Sequence, residues 1–270
     1  MDTTLNSINL STADAGQGPA LVFVHGFPLS RGAWQKQIEA FRPSYRVIAP
    51  DLRGFGESGM LPGTATMANY AADVHALLRQ RSTGPVVLVG HSMGGYVALS
   101  FARQFPDMLR GLVFVGTKAG PDTPEAAAGR RATAAKVEGE GLRGVEGVIQ
   151  VMAPKMLAAG NQDAGMLEAV RGMMASATPA GVIGALLGMA ERPDSTPLLA
   201  QIIVPTLVIT GSDDTLIPPA ESERMALAIR GAQLTVIPNA GHLVAFEKPE
   251  PFNRALQEWL DRTGLATLVR

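Results

Sequence analysis

The chain contains no cysteine, and its 270 residues include only four histidines. Without cysteine there can be no disulfide, thiol catalysis or cysteine metal site, and this composition is compatible with a reducing cytoplasm. The histidines are scattered, without a paired spacing such as His-Glu-x-x-His, so the sequence predicts no bound metal. Gly54 and Gly56 lack the third glycine of a dinucleotide fingerprint. We therefore expect a protein that needs no cofactor.

The chain also lacks an excess of charge of one sign and any long apolar run. The formal net charge is −1, and no polybasic run occurs, which argues against nucleic acid or an acidic membrane surface as a partner. No segment approaches the roughly twenty apolar residues of a membrane span. The first residues lack the basic and apolar parts of a signal peptide. We expect a cytoplasmic protein that acts on a small molecule, and the sequence gives no indication of its oligomeric state.

The apolar pattern predicts one large α/β domain. With 270 residues, 46% of them hydrophobic, the chain can bury a full core. After an expected polar hairpin at residues 5–14, strand-like and helical segments alternate, which predicts a mostly parallel sheet with helices on both faces. The predicted strands are residues 20–25, 45–50, 86–90, 112–116, 205–210 and 233–237.

Residues 118–201 interrupt this alternation, because they contain no convincing strand and are rich in alanine, glycine and methionine. We expect them to form a helical cap on a core of residues 1–117 and 202–270. Six of the twelve methionines lie in this segment, which favours adaptable packing and an apolar pocket beneath it. The predicted helices are 124–138, 145–159 with a break at Pro154, 162–175 and 179–190, the last with Thr178 as N-cap.

The most informative motif is the run from Pro85 to Gly95, in which the apolar residues 86–89 are followed by Gly-His-Ser-Met-Gly-Gly. A buried strand, a tight turn and the start of a helix fit into these residues, which is the context of a nucleophile elbow. Gly90 and Gly94 provide the space that such a turn needs. The motif predicts Ser92 as a nucleophile, with the first N–H groups of the following helix near a developing oxyanion.

A serine nucleophile needs a histidine base and a carboxylate that orients it. His242 follows the strand-like run 232–238 and comes after Ser92 in the chain, so it is the predicted base. The acid is expected at the end of the strand at 205–210, where Asp213 and Asp214 are adjacent. The pattern of residues alone leaves both aspartates open. The order serine, aspartate, histidine is that of an α/β-hydrolase.

The chain resembles the α/β-hydrolase superfamily in segments spread over nearly its whole length. The resemblance implies Asp214 as the acid, since it is the fourth residue of a Gly-x-x-Asp-x-x-x-Pro pattern. It also implies that the backbone N–H groups of Phe27 and Met93 form an oxyanion hole. Haloalkane dehalogenases and epoxide hydrolases of the superfamily have aspartate at the position of Ser92, which argues against those activities. The segments are His25–Pro28, Pro50–Ser58, Gly90–Gly95, Gly211–Pro218 and Gly241–His242.

The sequence thus predicts a serine carboxylesterase acting on small to medium, uncharged and largely apolar esters through an acyl-enzyme. The preference for uncharged esters rests on an expected scarcity of basic residues in the pocket lining. A cofactor-free perhydrolase or haloperoxidase, or an enol-lactone hydrolase, is an alternative that uses the same three side chains. A ligand-binding protein that retains the scaffold without turnover is a further alternative. Arg53 is expected to shape the base of the site without reacting.

Overall fold

The computed structural model describes residues 8–61 and 63–267 and has a seven-stranded sheet at its centre. The strand order is β1-β3-β2-β4-β5-β6-β7, and every pairing except that of β1 with β3 is parallel. The mostly parallel α/β fold is therefore confirmed. The strands are β1 Thr12–Ala15, β2 Ala20–Val24, β3 Arg46–Pro50, β4 Val86–His91, β5 Leu109–Val115, β6 Thr206–Gly211 and β7 Gln233–Ile237.

Apolar side chains cover both faces of the sheet because the central strands are hydrophobic at nearly every position. On one face, Phe23 and Val89 pack with Trp259 of the C-terminal helix. On the other face, Val22 and Leu88 pack with helices that follow β3 and β4. The α-helices that the structure describes outside residues 118–201 are α1 Gln35–Phe41, α2 Met67–Gln80, α3 Met93–Gln104, α9 Pro219–Ala228, α10 Val244–Glu247 and α11 Pro249–Arg262.

The predicted N-terminal hairpin is wrong for the part of it that the structure describes. Residues 5–7 of that prediction lie outside the described residues. The strand β1 pairs antiparallel with β3, with Thr12 opposite Pro50 and Ala15 opposite Val47, and not with a neighbouring hairpin strand. Local polarity predicted the turn, but the partner strand is supplied by a segment about thirty residues further along the chain.

Five α-helices lie between β5 and β6, within the segment predicted as a cap. The predicted break at Pro154 is present, because α5 ends at Met152 and a short 3₁₀ helix follows. Thr178 is the N-cap of α7 and accepts a hydrogen bond from Gly181 N. The short helix α8 was not predicted. The five helices are α4 Pro124–Glu140, α5 Leu142–Met152, α6 Ala164–Ala175, α7 Pro179–Ala190 and α8 Thr196–Leu199.

A row of glycines brings α7 against the loop that follows β3. A Cβ atom at Gly181 would lie 2.1 Å from the carbonyl oxygen of Gly54, and one at Gly188 would lie 2.0 Å from that of Ala65. The hydroxyl and backbone N–H of Thr178 also donate to Gly54 O. The helix therefore contacts the backbone of the rest of the fold directly, which only residues without a side chain permit.

Replacing Gly181 by alanine should lower the free energy of unfolding by about 1–3 kcal/mol, because the added methyl group meets backbone that cannot rotate away. Gly172→Ala is the matched control, since Gly172 is in α6 and has no neighbouring atom within 4 Å of an added Cβ. That control should be neutral or stabilising by up to about 1 kcal/mol. Urea unfolding measures both variants. Equal stabilities for the two would contradict the close packing of α7.

Candidate active site

Ser92 lies in a sharp turn between β4 and α3, with φ 52° and ψ −115°. This conformation is strained for a residue with a side chain. The turn is tight because a Cβ at Gly90 would lie 2.3 Å from Gly94 O, and one at Gly94 would lie 2.3 Å from Val24 O. Gly95 is needed as well, since its Cβ would lie 2.4 Å from the Thr117 hydroxyl. The requirement at Gly95 could not be predicted from the motif, because the obstructing Thr117 lies after β5.

Two unused backbone donors lie next to this turn. Among residues 8–61 and 63–267, neither Phe27 N–H nor Met93 N–H donates a hydrogen bond to a protein acceptor. Met93 is the first residue of α3, where the helix leaves its N–H groups unpaired. Phe27 follows β2, and β2 pairs with β4. These donors are available to an anion or a polarised carbonyl oxygen.

His242 and Asp214 are joined by a hydrogen bond of 2.8 Å between Nδ1 and Oδ2. Both side chains are nearly fully buried, at 3% and 0% exposure. The other carboxylate oxygen of Asp214 accepts hydrogen bonds of 2.9 Å from the N–H groups of Leu216 and Ile217. Asp213 is exposed, and its carboxylate accepts from the hydroxyl of Ser212. The structure thus pairs the histidine with Asp214 and leaves Asp213 at the surface.

Ser92, Asp214 and His242 all follow the carboxyl ends of parallel strands, β4, β6 and β7, which places them at one edge of the sheet. Within the described residues no hydrogen bond joins the Ser92 hydroxyl to the ring of His242. Such bonds are often long before substrate is bound. His91 links the two segments instead, since its Nε2 donates a hydrogen bond of 2.9 Å to the carbonyl oxygen of His242.

Two further histidines are held neutral around this turn. Burial lowers the pKa of His91 well below its usual value, and the nearby His242 contributes in the same direction. Burial also lowers the pKa of His25. His25 donates from Nδ1 to the carbonyl of Gly26, and its Nε2 accepts from Leu52 N, both at 2.9 Å. His25 therefore fixes the peptide that precedes Phe27.

Arg53 forms a buried ion pair in the structure. Its guanidinium forms two hydrogen bonds with the carboxylate of Asp73, and both side chains are less than 10% exposed. A paired, bidentate arginine of this kind holds the loop after β3 to α2.

Glu247 is a buried carboxylate that the sequence analysis did not single out. It accepts hydrogen bonds from Gly241 N at 2.6 Å, from Ala158 N at 3.1 Å, and from Asn161 Nδ2 at 2.7 Å. Gly241 directly precedes His242, and the other two donors follow α5. Glu247 thus ties the histidine loop to the helical segment between β5 and β6. A single glutamate within a short helix carries no motif that predicts this contact.

A cavity of about 460 Å³ lies between α4, α5 and Phe27. Its lining is mostly apolar and includes Val148 and Met152, but it also contains Arg130 and Lys136. The expected scarcity of basic residues is therefore wrong for this cavity. The helical periodicity of α4 places Arg130 and Lys136 on the same face as its small residues, which also line the cavity. Three of the six methionines of this segment, Met156, Met174 and Met189, are buried in the core, and Met152 lines the cavity.

Residues 8–61 and 63–267 contain no group of three or more His, Cys, Asp or Glu side chains placed to hold a metal ion. No single helix in the same part of the chain is long and apolar enough to cross a membrane. The helices α6 and α7 together pass that test of length and composition as a pair bent by 91°, which core helices of many proteins also do.

The chain belongs to the family with the alpha/beta hydrolase fold, whose model matches residues 19–249. The predicted superfamily is thereby confirmed, and with it an enzyme whose relatives are hydrolases acting on small molecules.

Three relatives illustrate the range of this family. A malate-bound structure of a thermophilic esterase from Thermogutta terrifontis is 45% identical, with a TM-score of 0.93, and the match covers 97% of this chain and 96% of that chain. The non-heme chloroperoxidase CPO-A1 of Kitasatospora aureofaciens is 31% identical over 96% of this chain and 98% of its own. The (E)-2-((N-methylformamido)methylene)succinate hydrolase of Acinetobacter baylyi is 28% identical over 96% and 98%.

Glu247→Gln should lower the free energy of unfolding by about 1–3 kcal/mol, because an amide cannot accept from donors on both sides and one buried N–H loses its partner. Glu258→Gln is the control, since Glu258 is exposed on α11 and should change stability by less than about 0.5 kcal/mol. Urea unfolding compares the two. If both variants unfold at the same midpoint, the buried carboxylate does not hold the histidine loop.

Proposed function

We propose that the protein is a serine carboxylesterase in which Ser92 attacks the ester carbonyl, His242 acts as base and then as acid, and Asp214 orients His242. The observation that carries the proposal is the 2.8 Å hydrogen bond between His242 Nδ1 and Asp214 Oδ2, beside the strained turn that holds Ser92. The bond fixes the tautomer in which Nε2 is the basic nitrogen. A buried aspartate also stabilises the imidazolium that forms during the reaction.

The reaction would proceed through an acyl-enzyme. Ser92 Oγ forms a bond to the carbonyl carbon while His242 Nε2 takes its proton, and the carbonyl oxygen becomes an oxyanion. The C–O bond of the ester then breaks, and His242 returns the proton to the leaving alcohol. Water repeats the sequence on the acyl-enzyme and releases the carboxylic acid. The free N–H groups of Phe27 and Met93 are suited to the oxyanion, and such a donor is typically worth about 10²–10³-fold in rate.

We propose that the five helices of residues 118–201 act as a cap over this edge of the sheet, on a core of residues 1–117 and 202–270. The bonds of Glu247 to Gly241 and to Ala158 support this view, because they attach the helical segment beside His242. The mostly apolar cavity beside Phe27 suits small to medium, largely apolar esters. We also infer a cytoplasmic location from the absence of cysteine.

The cavity lining argues against the uncharged substrate that the sequence predicted. The preference for uncharged esters rested on a lining without cations, and Arg130 and Lys136 remove that support. The Thermogutta terrifontis esterase was studied with malate bound, and the Acinetobacter baylyi relative is named for a substituted succinate. Both molecules carry carboxylates, which favours an ester substrate that carries one too.

A cofactor-free perhydrolase is the second candidate, favoured by the 31% identity to a non-heme chloroperoxidase over nearly the whole chain. The acyl-enzyme would be the same, with hydrogen peroxide replacing water and yielding a peracid. Peracid formation from acetate and peroxide at a rate above ester hydrolysis would favour this candidate. Turnover of an enol-lactone faster than of any open ester would favour a lactone hydrolase.

Wild-type protein mixed with p-nitrophenyl acetate, butyrate or octanoate should show a pre-steady-state burst of nitrophenol, because acylation releases the alcohol before water frees the enzyme. Ser92→Ala should abolish the burst and lower kcat by more than about 10⁴-fold. Ser82→Ala is the matched control, since Ser82 has the same φ of 52° and is exposed. It should retain the burst.

A burst retained in Ser92→Ala would overturn the assignment of the nucleophile. No turnover by the wild-type protein on any of the three esters would move the conclusion to the ligand-binding alternative. The chain length that reacts fastest would measure the depth of the acyl pocket.

Asp214→Asn should lower kcat by about 10⁴-fold, because an amide at this position favours the wrong tautomer of His242. Asp213→Asn should leave kcat almost unchanged, since Asp213 is exposed and its carboxylate is bonded, within residues 8–61 and 63–267, only to the hydroxyl of Ser212. Steady-state hydrolysis of p-nitrophenyl butyrate compares the two variants. A larger loss in Asp213→Asn would reassign the acid.

A further inference from the structure

Asp122, which precedes α4, is surrounded by more positive charge than it can neutralise. Its carboxylate is 2% exposed and lies 2.5 Å from Arg130, 2.8 Å from Arg192 and 3.6 Å from Lys118. Burial alone would raise the pKa of Asp122, but the hydrogen bonds and charges of Arg130 and Arg192 outweigh burial and lower it. Asp122 is thus ionised at neutral pH, and the cluster has three cations for one anion.

The hydrogen-bond donors of Arg192 and Arg130 in this cluster have different partners. Arg192 is 4% exposed, donates to the carbonyl oxygens of Met189 and Gly120, and lies 4.1 Å above the ring of Tyr96. Arg192 is therefore a packed structural residue.

Arg130 is arranged differently. Its Nε donates a hydrogen bond of 2.5 Å to Asp122. In the described part of the chain, neither Nη group of Arg130 donates a hydrogen bond, and the side chain is 26% exposed. Arg130 also lines the cavity beside Phe27. The bond at Nε fixes the plane of the guanidinium and leaves its outer donors to the cavity.

This cluster lies close to the proposed reaction centre. Tyr96, under Arg192, is in the first turn of α3, four residues after Ser92. Phe27, whose N–H is a proposed oxyanion donor, lines the same cavity as Arg130. A group bound at Arg130 would therefore belong to a molecule that extends from the cavity toward Ser92.

We propose that the Nη groups of Arg130 form a subsite for a carboxylate of the substrate, so that the preferred esters carry a carboxylate a few carbon atoms from the scissile bond. The inference rests on the proposed esterase function. Monoalkyl esters of short dicarboxylic acids have this chemistry. A guanidinium held in one plane presents two parallel donors that match a carboxylate. The surplus positive charge of the cluster, with exposed Lys136 on the same cavity, attracts an anionic substrate.

The test compares monomethyl glutarate with methyl valerate, which differ only in a carboxylate replaced by a methyl group. Acid release in a pH-stat gives kcat/KM for both esters with wild type, Arg130→Met and Arg130→Lys. The charged-to-neutral ratio of kcat/KM should fall about 10- to 100-fold in Arg130→Met, the usual weight of hydrogen bonds to a charged group. Arg130→Lys should fall less, because the charge remains. Arg131→Met, at the exposed neighbour on α4, should keep the wild-type ratio.

A binding measurement separates the subsite from the reaction. Ser92→Ala and the double variant Ser92→Ala/Arg130→Met are titrated with monomethyl glutarate by calorimetry, and Kd should rise at least about tenfold in the double variant. An unchanged ratio and an unchanged Kd, or no binding of monomethyl glutarate to Ser92→Ala, would overturn the subsite. Failure of wild type to hydrolyse either ester would overturn the esterase function, while the titration would still decide on Arg130.

Discussion

The arrangement of the site depends on one steric constraint, the absence of side chains where β4 turns into α3. Gly90 meets Gly94, Gly94 meets the carbonyl at the end of β2, and Gly95 meets Thr117 after β5. These contacts join three neighbouring strands at the turn, so the strained conformation of Ser92 is determined by the sheet and not by the local sequence alone. In the described part of the chain, the same turn leaves Met93 N–H without a protein acceptor, and Gly26, which precedes Phe27, lies against Ser92. A side chain at any of these glycines would displace the serine from that donor.

Hydrogen bonds to backbone groups, more than contacts between side chains, hold the loops around this turn. His25 binds the peptide next to Phe27, His91 binds the carbonyl of His242, and Glu247 binds the N–H of Gly241. Burial lowers the pKa values of His25 and His91, so both rings remain neutral and act as fixed donors. Neither of these two rings therefore adds positive charge near Ser92. Buried polar groups of this kind rigidify a site only when their partners are present.

The elements whose pattern is local were predictable from the sequence. The strand at 233–237 was predicted with its observed bounds, as was the helix Pro179–Ala190 with Thr178 as its cap. The hairpin before β2 was not, because its partner strand is chosen by pairing across the sheet. Asp214 and Asp213 were equivalent by residue type, and only the family pattern separated them. The bond to His242 and the exposure of Asp213 now give a physical reason for the difference.

The position of Arg130 at the cavity, with its outer donors free in the described part of the chain, could not be predicted from the sequence pattern. Arg130 lies in a helix with neighbours of both signs, so its surroundings look like an ordinary solvated face. Asp122 fixes its Nε, while Arg192 and Lys118 already neutralise that aspartate from other directions. The outer donors of Arg130 are surplus only because residues more than sixty positions apart meet at one carboxylate. A net charge of −1 over the chain is thus compatible with a local excess of positive charge around Asp122, and the charge of the substrate must be argued from the cavity lining.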